Sequence, residues 1–415
     1  MRVIKYFKSN KHVKKFTGDV FFNIVAFSIY IIGQQILLLP ILARNTNDKG
    51  FSSIVVFISI FSIITNTLGS ELGVTRQIKK EDDENKGIDQ DGYDRFILYL
   101  TPIVIIVAVT LLSIYNFNLK YIIVCTIVIV LGNFRLYLAA FFRLQKNFIR
   151  VILQNVAYVV GMLIGLGIFL LTENFFLPFI VAEVCGVGYS LKKIPFRKKR
   201  KFRWQQFKLD VSRIGKTFFD LGLIALLINT MVYFDRLIIY PILGATAVSV
   251  YYAANSMSKA VTLIVNPIHG VILSWLGSSK NYNKQRILKI TIKLNFPMVI
   301  IAAIVSWPIT YFALWFLYPQ YFEQALSFIV PICISVGFSV ACSLSKGVLL
   351  KFINSRKLLT CYISYFIIFA ILAMPLSSMY GIMGFVIANL VARIEQWVVF
   401  MVFMKNALSK GESVN

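Results

Sequence analysis

Histidine occurs only twice in 415 residues, at His12 and His269, far apart in the chain. The five cysteines, Cys125, Cys185, Cys333, Cys342 and Cys361, all fall inside apolar stretches and show no ligand-like spacing. Metal centres and disulfide frameworks both need clustered or paired donors, so neither is expected, and no cofactor is implied. Acids are scarce too, with 18 Asp and Glu against 43 Lys and Arg. No clustered pair of aspartates marks a metal-dependent sugar transferase. No GxxxxGK(S/T) loop is present, so there is no internal ATP motor. No catalytic residue is therefore nominated. Charged residues of all kinds make up 15% of the chain, against 58% hydrophobic, with a mean hydropathy of +0.74. Soluble domains are about 25% charged, so the balance points to an all-α integral membrane protein.

The formal net charge of +25 would suggest a nucleic-acid partner in a soluble protein. Here the basic residues lie between apolar runs, where they set topology and meet anionic lipid headgroups. Nucleic acid is excluded as a partner on that ground.

A crossing needs about 20 apolar residues. Twelve such spans can be drawn, near 20–42, 51–73, 96–116, 120–141, 151–171, 174–191, 217–240, 246–273, 294–317, 325–345, 358–377 and 381–404. The first follows a basic leader with no small-residue cleavage site, so a membrane helix is expected there and not a signal peptide. The leader holds six Lys and Arg, and the loops after spans 2, 4, 6, 8 and 10 hold five, three, eleven, five and four. The loops on the opposite side hold only Arg44, Lys49 and Lys120. The positive-inside rule then places both termini in the cytoplasm. The outer loops are too short to house chemistry. The acidic run Glu81-Asp82-Asp83-Glu84 in loop 76–95 reads as a solvated surface.

Two six-helix bundles are expected, at 1–200 and 201–415, joined by the basic cytoplasmic linker 192–216. That linker suits the anionic lipid of the inner leaflet, and its FRWQQF portion suits an interfacial stretch. Each half begins with a long helix, a short outer turn and a helix with a polar stripe. In span 2 the stripe is Ser59, Ser62, Asn66, Ser70 and Gly73; in span 8 it is Tyr252, Asn255, Lys259, Thr262 and Asn266. Steps of three and four line one helix face, and polar faces in a membrane look at protein or water. Such duplicated halves are the build of secondary transporters.

Four basic residues lie within spans: Arg135, Arg236, Lys259 and Arg393. Arg236 follows Asp235 near a span end, where it can snorkel or pair locally. Arg135 has a candidate partner in Glu183, which is also the candidate ion-coupling group. Arg393 shares a face with Asn389 and Gln396, and has Glu395 nearby in sequence. Lys259 has no acid within a helical turn. Uncompensated cations with Gln34, Asn66, Asn255 and Asn389 as polar lining suit an anionic, hydrogen-bonding cargo such as a phosphate or diphosphate bearing sugars. Gly161, Gly165 and Gly167 in span 5 are expected to allow close helix packing.

Tyr233-Phe234-Asp235-Arg236-Leu237, then Leu243-Gly244 and Ser249-Val250-Tyr251-Tyr252-Ala253-Ala254, resemble the start of the C-terminal half of polysaccharide flippases. These are the O-antigen and capsule repeat-unit transporters, the Wzx-like branch of the multidrug/oligosaccharidyl-lipid/polysaccharide exporter superfamily. Pro40-Ile41-Leu42-Ala43-Arg44 with Gly50-Phe51, then Leu72-Gly73 and Arg76, resemble the family's first two helices, and Gly381-Ile382-Met383-Gly384 its last. Ser249 departs from the family's usual glycine. The resemblance implies two pseudo-symmetric six-helix bundles, V-shaped around a central cavity, in a bacterial cytoplasmic membrane. It implies a cargo of undecaprenyl-diphosphate-linked oligosaccharide moved from inner to outer leaflet by alternating access. A polysaccharide polymerase and glycosyltransferases are then the partners to look for. By position, Lys259 and Arg393 would hold the diphosphate, with Arg135 and Arg236 after them. The competing expectation is a carrier of small solutes or drugs, of the major-facilitator or multidrug-antiporter type. Loop 76–95 lacks the Gly-x-x-x-Asp-Arg pattern of the former, and the buried charges have the wrong sign for a cationic drug.

Overall fold

The computed structural model describes residues 11–85, 91–145, 147–194, 204–278, 284–352 and 355–412, and the side chains of 257 and 259–278 are among those outside the description. Every element is helical. Helix α1 (Lys11–Ile31) runs through a π-helical stretch (Ile32–Leu38) into α2 (Leu39–Asn45). After a turn at Thr46 and Asn47, α3 (Asp48–Ile64) passes through a second π-helical stretch (Thr65–Ser70) into α4 (Glu71–Asn85). Then come α5 (Asp91–Ile114), α6 (Leu119–Leu144), α7 (Phe148–Thr172) and α8 (Leu177–Lys193). The remainder is α9 (Trp204–Ser278), α10 (Lys284–Leu317), a 3₁₀ turn at Pro319–Tyr321, α11 (Phe322–Phe352) and α12 (Ser355–Glu412).

Nine helical stretches among the described residues are long and apolar enough to cross a bilayer. Two of them are double length, Phe207–Ser256 with 50 residues and Leu359–Ser409 with 51. Each is broken by one glycine, Gly244 at φ 82° and ψ −174° and Gly381 at φ 58° and ψ −137°. Only glycine enters that backbone region readily, so each rod is two crossings joined at a corner. Helix α8, with 17 residues, is at the short limit for a crossing. With the rods divided and α8 added, the twelve expected crossings are all found. The turn expected across 241–246 is a single-residue break. Three quarters of the expected loop 76–95 is helix, since α4 continues to Asn85 and α5 begins at Asp91.

The helices gather into two compact units, Met1–Phe234 and Asp235–Asn415. The division falls later than 200/201 because the beginning of α9 packs into unit 1. There Ile214 and Phe218 join Leu72, Tyr93, Phe96 and Tyr137 in one buried cluster, and Arg95 Nε donates to Asp210 Oδ2 at 2.7 Å. Arg76 closes the same end, donating to Asp94 Oδ1 at 3.0 Å and to the Tyr137 hydroxyl at 2.6 Å.

Helix α3 is the core of unit 1. Thirteen of its 17 residues are buried, so it is surrounded by protein on nearly all sides. In contrast, α5 buries only eight of its 24 residues and turns Leu98, Ile103 and Ile106 outward, as a lipid-facing helix should. Close approach of α7 to α8 depends on two of the three glycines in span 5. A Cβ at Gly161 would meet the Val181 carbonyl oxygen and Cys185 at 2.7 Å, and one at Gly165 would meet Pro178 Cα at 2.6 Å. Gly167 has nothing within 4 Å, so the packing role expected for it belongs to the other two. In unit 2, α10, α11 and α12 pack together around Leu288, Cys342, Leu349, Cys361, Phe400 and Met404.

Candidate functional site

Each unit buries polar groups, and the two sets differ in kind. In unit 1, α6 carries Arg135 and α8 carries Glu183. Arg135 Nε and Nη2 donate to the two carboxylate oxygens of Glu183 at 2.8 and 3.1 Å. Both side chains are almost fully buried, at 3% and 1% exposure. The guanidinium also lies over the Tyr158 ring at 4.4 Å and the Tyr30 ring at 5.3 Å. Gln154 donates from α7 to the Arg135 carbonyl oxygen at 3.0 Å and to the Ser190 hydroxyl at 2.7 Å. Gly186 makes room for the guanidinium stem, since a Cβ there would meet Arg135 Cδ at 2.7 Å. A bidentate pair with rings on its faces neutralises both charges and ties four helices, α1, α6, α7 and α8, together. Arg135 thus takes Glu183, its candidate partner in the sequence.

Gln34 and Asn66 sit in the two π-helical stretches of unit 1. Gln34 is buried and Asn66 is half-buried. Each stretch also holds a glycine pressed on a neighbour. A Cβ at Gly33 would meet Val159 at 2.7 Å, and one at Gly69 would meet the Asn133 carbonyl oxygen at 2.6 Å. Single π turns inside α-helices recur at functional sites, which makes these the irregular points of spans 1 and 2.

In unit 2 the polar groups converge on a pocket. Its lining is Tyr251, Asn255, Ser335, Ser339, Asn389 and Arg393, with Ile332, Val336 and Val386 as the apolar part. These side chains come from α9, α11 and α12. Three residues singled out in the sequence, Asn255, Asn389 and Arg393, thus meet in one place. Asn255 Nδ2 donates to the Tyr251 hydroxyl at 2.9 Å and to Asp235 Oδ2 at 3.1 Å. The Tyr251 hydroxyl donates to Asp235 Oδ2 at 2.9 Å, and Asn389 Nδ2 reaches Tyr251 at 3.4 Å. Asp235 is behind the lining, and holds Tyr251 and Asn255 in place.

Among the described residues, Arg393 gives the lining its one formal charge. It does not take Glu395 as a partner. Its Nη1 donates to Gln396 Oε1 at 2.9 Å, and the guanidinium stacks over the Tyr365 ring at 4.1 Å. Both interactions fix the side chain without cancelling its charge. The cavity measures about 30 Å³, room for one or two waters in this state. Arg236 is buried at 5% exposure, with its guanidinium 4.7 Å from the centre of the Tyr252 ring. Tyr252 packs edge-on against Tyr318, so Tyr251, one position earlier, is the tyrosine that faces the pocket. The side chain of Lys259 lies outside the described residues.

Sequence reading missed Tyr251, Ser335 and Ser339. The last two stand four apart in an apolar span. A search for hydroxyls at helical steps would have found them.

Among the described residues no group of three or more His, Cys, Asp and Glu could hold a metal. No protein-family model and no curated protein matches this sequence.

Helices of this number and length, with polar groups turned inward, define a multi-pass membrane protein. Its fold is that of the MATE and MurJ transporters. An inward-facing multidrug resistance MATE transporter of the MOP superfamily superposes with a TM-score of 0.66 at 12% identity, over 93% of this chain and 98% of that one. The lipid II flippase MurJ in an inward closed conformation gives a TM-score of 0.70 at 14% identity, over 93% and 87%. A Vibrio cholerae MATE transporter gives 0.61 at 14%, over 95% and 97%. At these identities the likeness is one of fold.

Proposed function

We propose that the protein is a flippase that carries undecaprenyl-diphosphate-linked oligosaccharide repeat units from the inner to the outer leaflet by alternating access, for surface polysaccharide export. The observation that supports this most is the unit 2 pocket. Among the described residues, one arginine, two amides, a tyrosine and two serines line it, and no acid does. Such a set offers charge-assisted and neutral hydrogen bonds to phosphate oxygens and hydroxyls. A cationic drug would meet like charge there. The fold is compatible with either cargo, since both a MATE transporter and a lipid II flippase share it.

In this scheme Arg393 is the first anchor for the diphosphate, held ready by Gln396 and Tyr365. Lys259, four residues after Asn255 in sequence, is the second, and Arg236 supports the same unit from beside Tyr252. Asn255 and Asn389 complete the polar lining, with Gln34 and Asn66 as its counterparts in unit 1. Arg135 contributes as a strut through Glu183, and a proton relay through Glu183 would need that pair to open. The pocket is too small for a head group, which therefore enters after a conformational change. The lipid tail remains in the bilayer, and the sugared head group avoids unaided passage through hydrocarbon. The membrane is a bacterial cytoplasmic membrane, both termini are cytoplasmic, and the basic 192–216 segment rests on anionic lipid.

The test is complementation of a strain that lacks its repeat-unit flippase. Arg393→Ala and Lys259→Ala, with expression retained, should each abolish surface polysaccharide. Lys259→Arg shows whether charge alone suffices. Wild-type polymer in both alanine variants would remove the cationic pocket from the mechanism.

A further inference from the structure

The turn between α2 and α3 and the turn between α7 and α8 bound a second cavity, in unit 1, of about 400 Å³. Asn45, Thr46, Asn47 and Gly50 line one side, and Phe169, Leu170, Glu173 and Phe175 the other. Its volume is within the range of small-molecule sites, about 300–1,000 Å³. Nothing in the mechanism above uses it.

Glu173 stands out here because local preference opposes it twice. It follows the end of α7 at φ 58° and ψ 10°, a left-handed position that glycine and asparagine favour at helix ends. Its carboxylate also lies at the negative end of the helix dipole. The only other non-glycine residue with positive φ among those described is Asn116, for which that conformation is ordinary. A strained residue with an unfavourable charge is a reason to look for a ligand. The Glu173 carboxylate makes no hydrogen bond or ion pair within the described residues, and it is exposed to the cavity.

The opposite wall complements it. Asn47 uses its Oδ1 to accept from Gly50 N at 2.8 Å, which leaves its amide N–H groups to donate. Asn45 uses its Nδ2 on the Ile41 carbonyl at 2.8 Å, which leaves its Oδ1 to accept. Phe175 supplies an apolar wall, steadied by Phe176 at 4.7 Å and Tyr121 at 5.4 Å between ring centres. Paired donors and acceptors beside a ring match the hydroxyls and C–H face of a pyranose. Arg44 and Lys49 flank the same turn, but Glu173 is the charged group in the lining, and its carboxylate repels phosphate and sugar acids.

We infer that this cavity is a binding site for a neutral saccharide, made by the two turns of unit 1 that lie on the side poor in lysine and arginine. By the positive-inside rule that side faces outward. The site therefore takes sugars, not the diphosphate, on the side where a translocated glycan emerges. Its link to transport rests on the flippase reading, but saccharide binding can be read without it.

The experiment is saturation-transfer NMR on the full chain in lipid nanodiscs, free of sugar-based detergent. The probes are galactose, N-acetylglucosamine, glucuronate and glucosamine. Wild type should transfer saturation to galactose or N-acetylglucosamine, and not to glucuronate. Glu173→Gln and Glu173→Gly should each weaken binding by roughly tenfold or more. Glu173→Gly relieves the backbone, so its melting temperature should rise by about 1–3 °C while binding is lost. That combination separates a ligand role from a folding role. No transfer to either neutral sugar in wild type, or transfer that both variants keep, would overturn the inference. So would transfer to glucosamine alone, which would mark a cation site. Arg393→Ala should leave this binding intact. If the parent chain itself fails to restore polysaccharide export in the complemented strain, the flippase reading falls and the saccharide site stands.

Discussion

Two arginines within the membrane spans do opposite things with their charge. Arg135 spends it on Glu183 through two short hydrogen bonds, whereas Arg393 keeps it, held by Gln396 and the Tyr365 ring. Removing one partner of a buried pair leaves the other charge stranded, which costs about 3–5 kcal/mol. Arg135→Ala should therefore lower the melting temperature sharply in nanodiscs, and Arg135→Met with Glu183→Leu together should recover most of the loss. A single variant as stable as the parent would show that the pair is not a strut. Sequence alone marks all of these residues, because charges and amides are rare in apolar spans. It cannot pair Arg135 with a carboxylate 48 positions away, nor choose between Glu395 and Gln396 as neighbour of Arg393. Those choices depend on helix rotation. Tyr251, Ser335 and Ser339 were hidden for a different reason, since tyrosine and serine occur in ordinary membrane helices.

At the scale of elements, glycine placement decides where helices touch and where they bend. Gly161 and Gly165 let the backbone of α8 approach α7, whereas Gly167 faces open space. Gly161→Val should destabilise by about 1–3 kcal/mol through overpacking, and Gly167→Ala should unfold at the parent's temperature or slightly above. Thermal unfolding of both variants checks this, and equal losses would contradict the assigned packing. Gly381 was legible as the opening of the last span, and Gly244 lay within a predicted turn. Spans 1 and 2 were legible as helices, but their π-helical stretches were not. A π turn changes backbone register without changing hydropathy, so no apolar pattern records it. The helical extension of α4 through an acidic run was hidden likewise, since Glu and Lys favour helix as readily as they favour solvent.

For the whole molecule, the twelve crossings follow from apolar length, and their direction follows from the near-complete alternation of basic loops. In a chain with its native cysteines replaced, a membrane-impermeant thiol reagent should label Met379→Cys in intact cells and leave Arg200→Cys unlabelled until lysis. Labelling of position 200 from outside would overturn the orientation. Which cargo moves was not legible from fold, because multidrug transporters and a lipid flippase share it. In the proposed function it depends on the charge of the unit 2 pocket. The most direct measurement is translocation in proteoliposomes that contain undecaprenyl-diphosphate-linked oligosaccharide, read as the sugar exposed to a glycosidase outside. The protein should move this lipid, and Arg393→Ala should slow it about 10- to 150-fold, the loss of one charged hydrogen-bonding anchor of about 1.5–3 kcal/mol. Equal rates in parent and variant, or movement of cationic drugs with none of the lipid, would contradict the account.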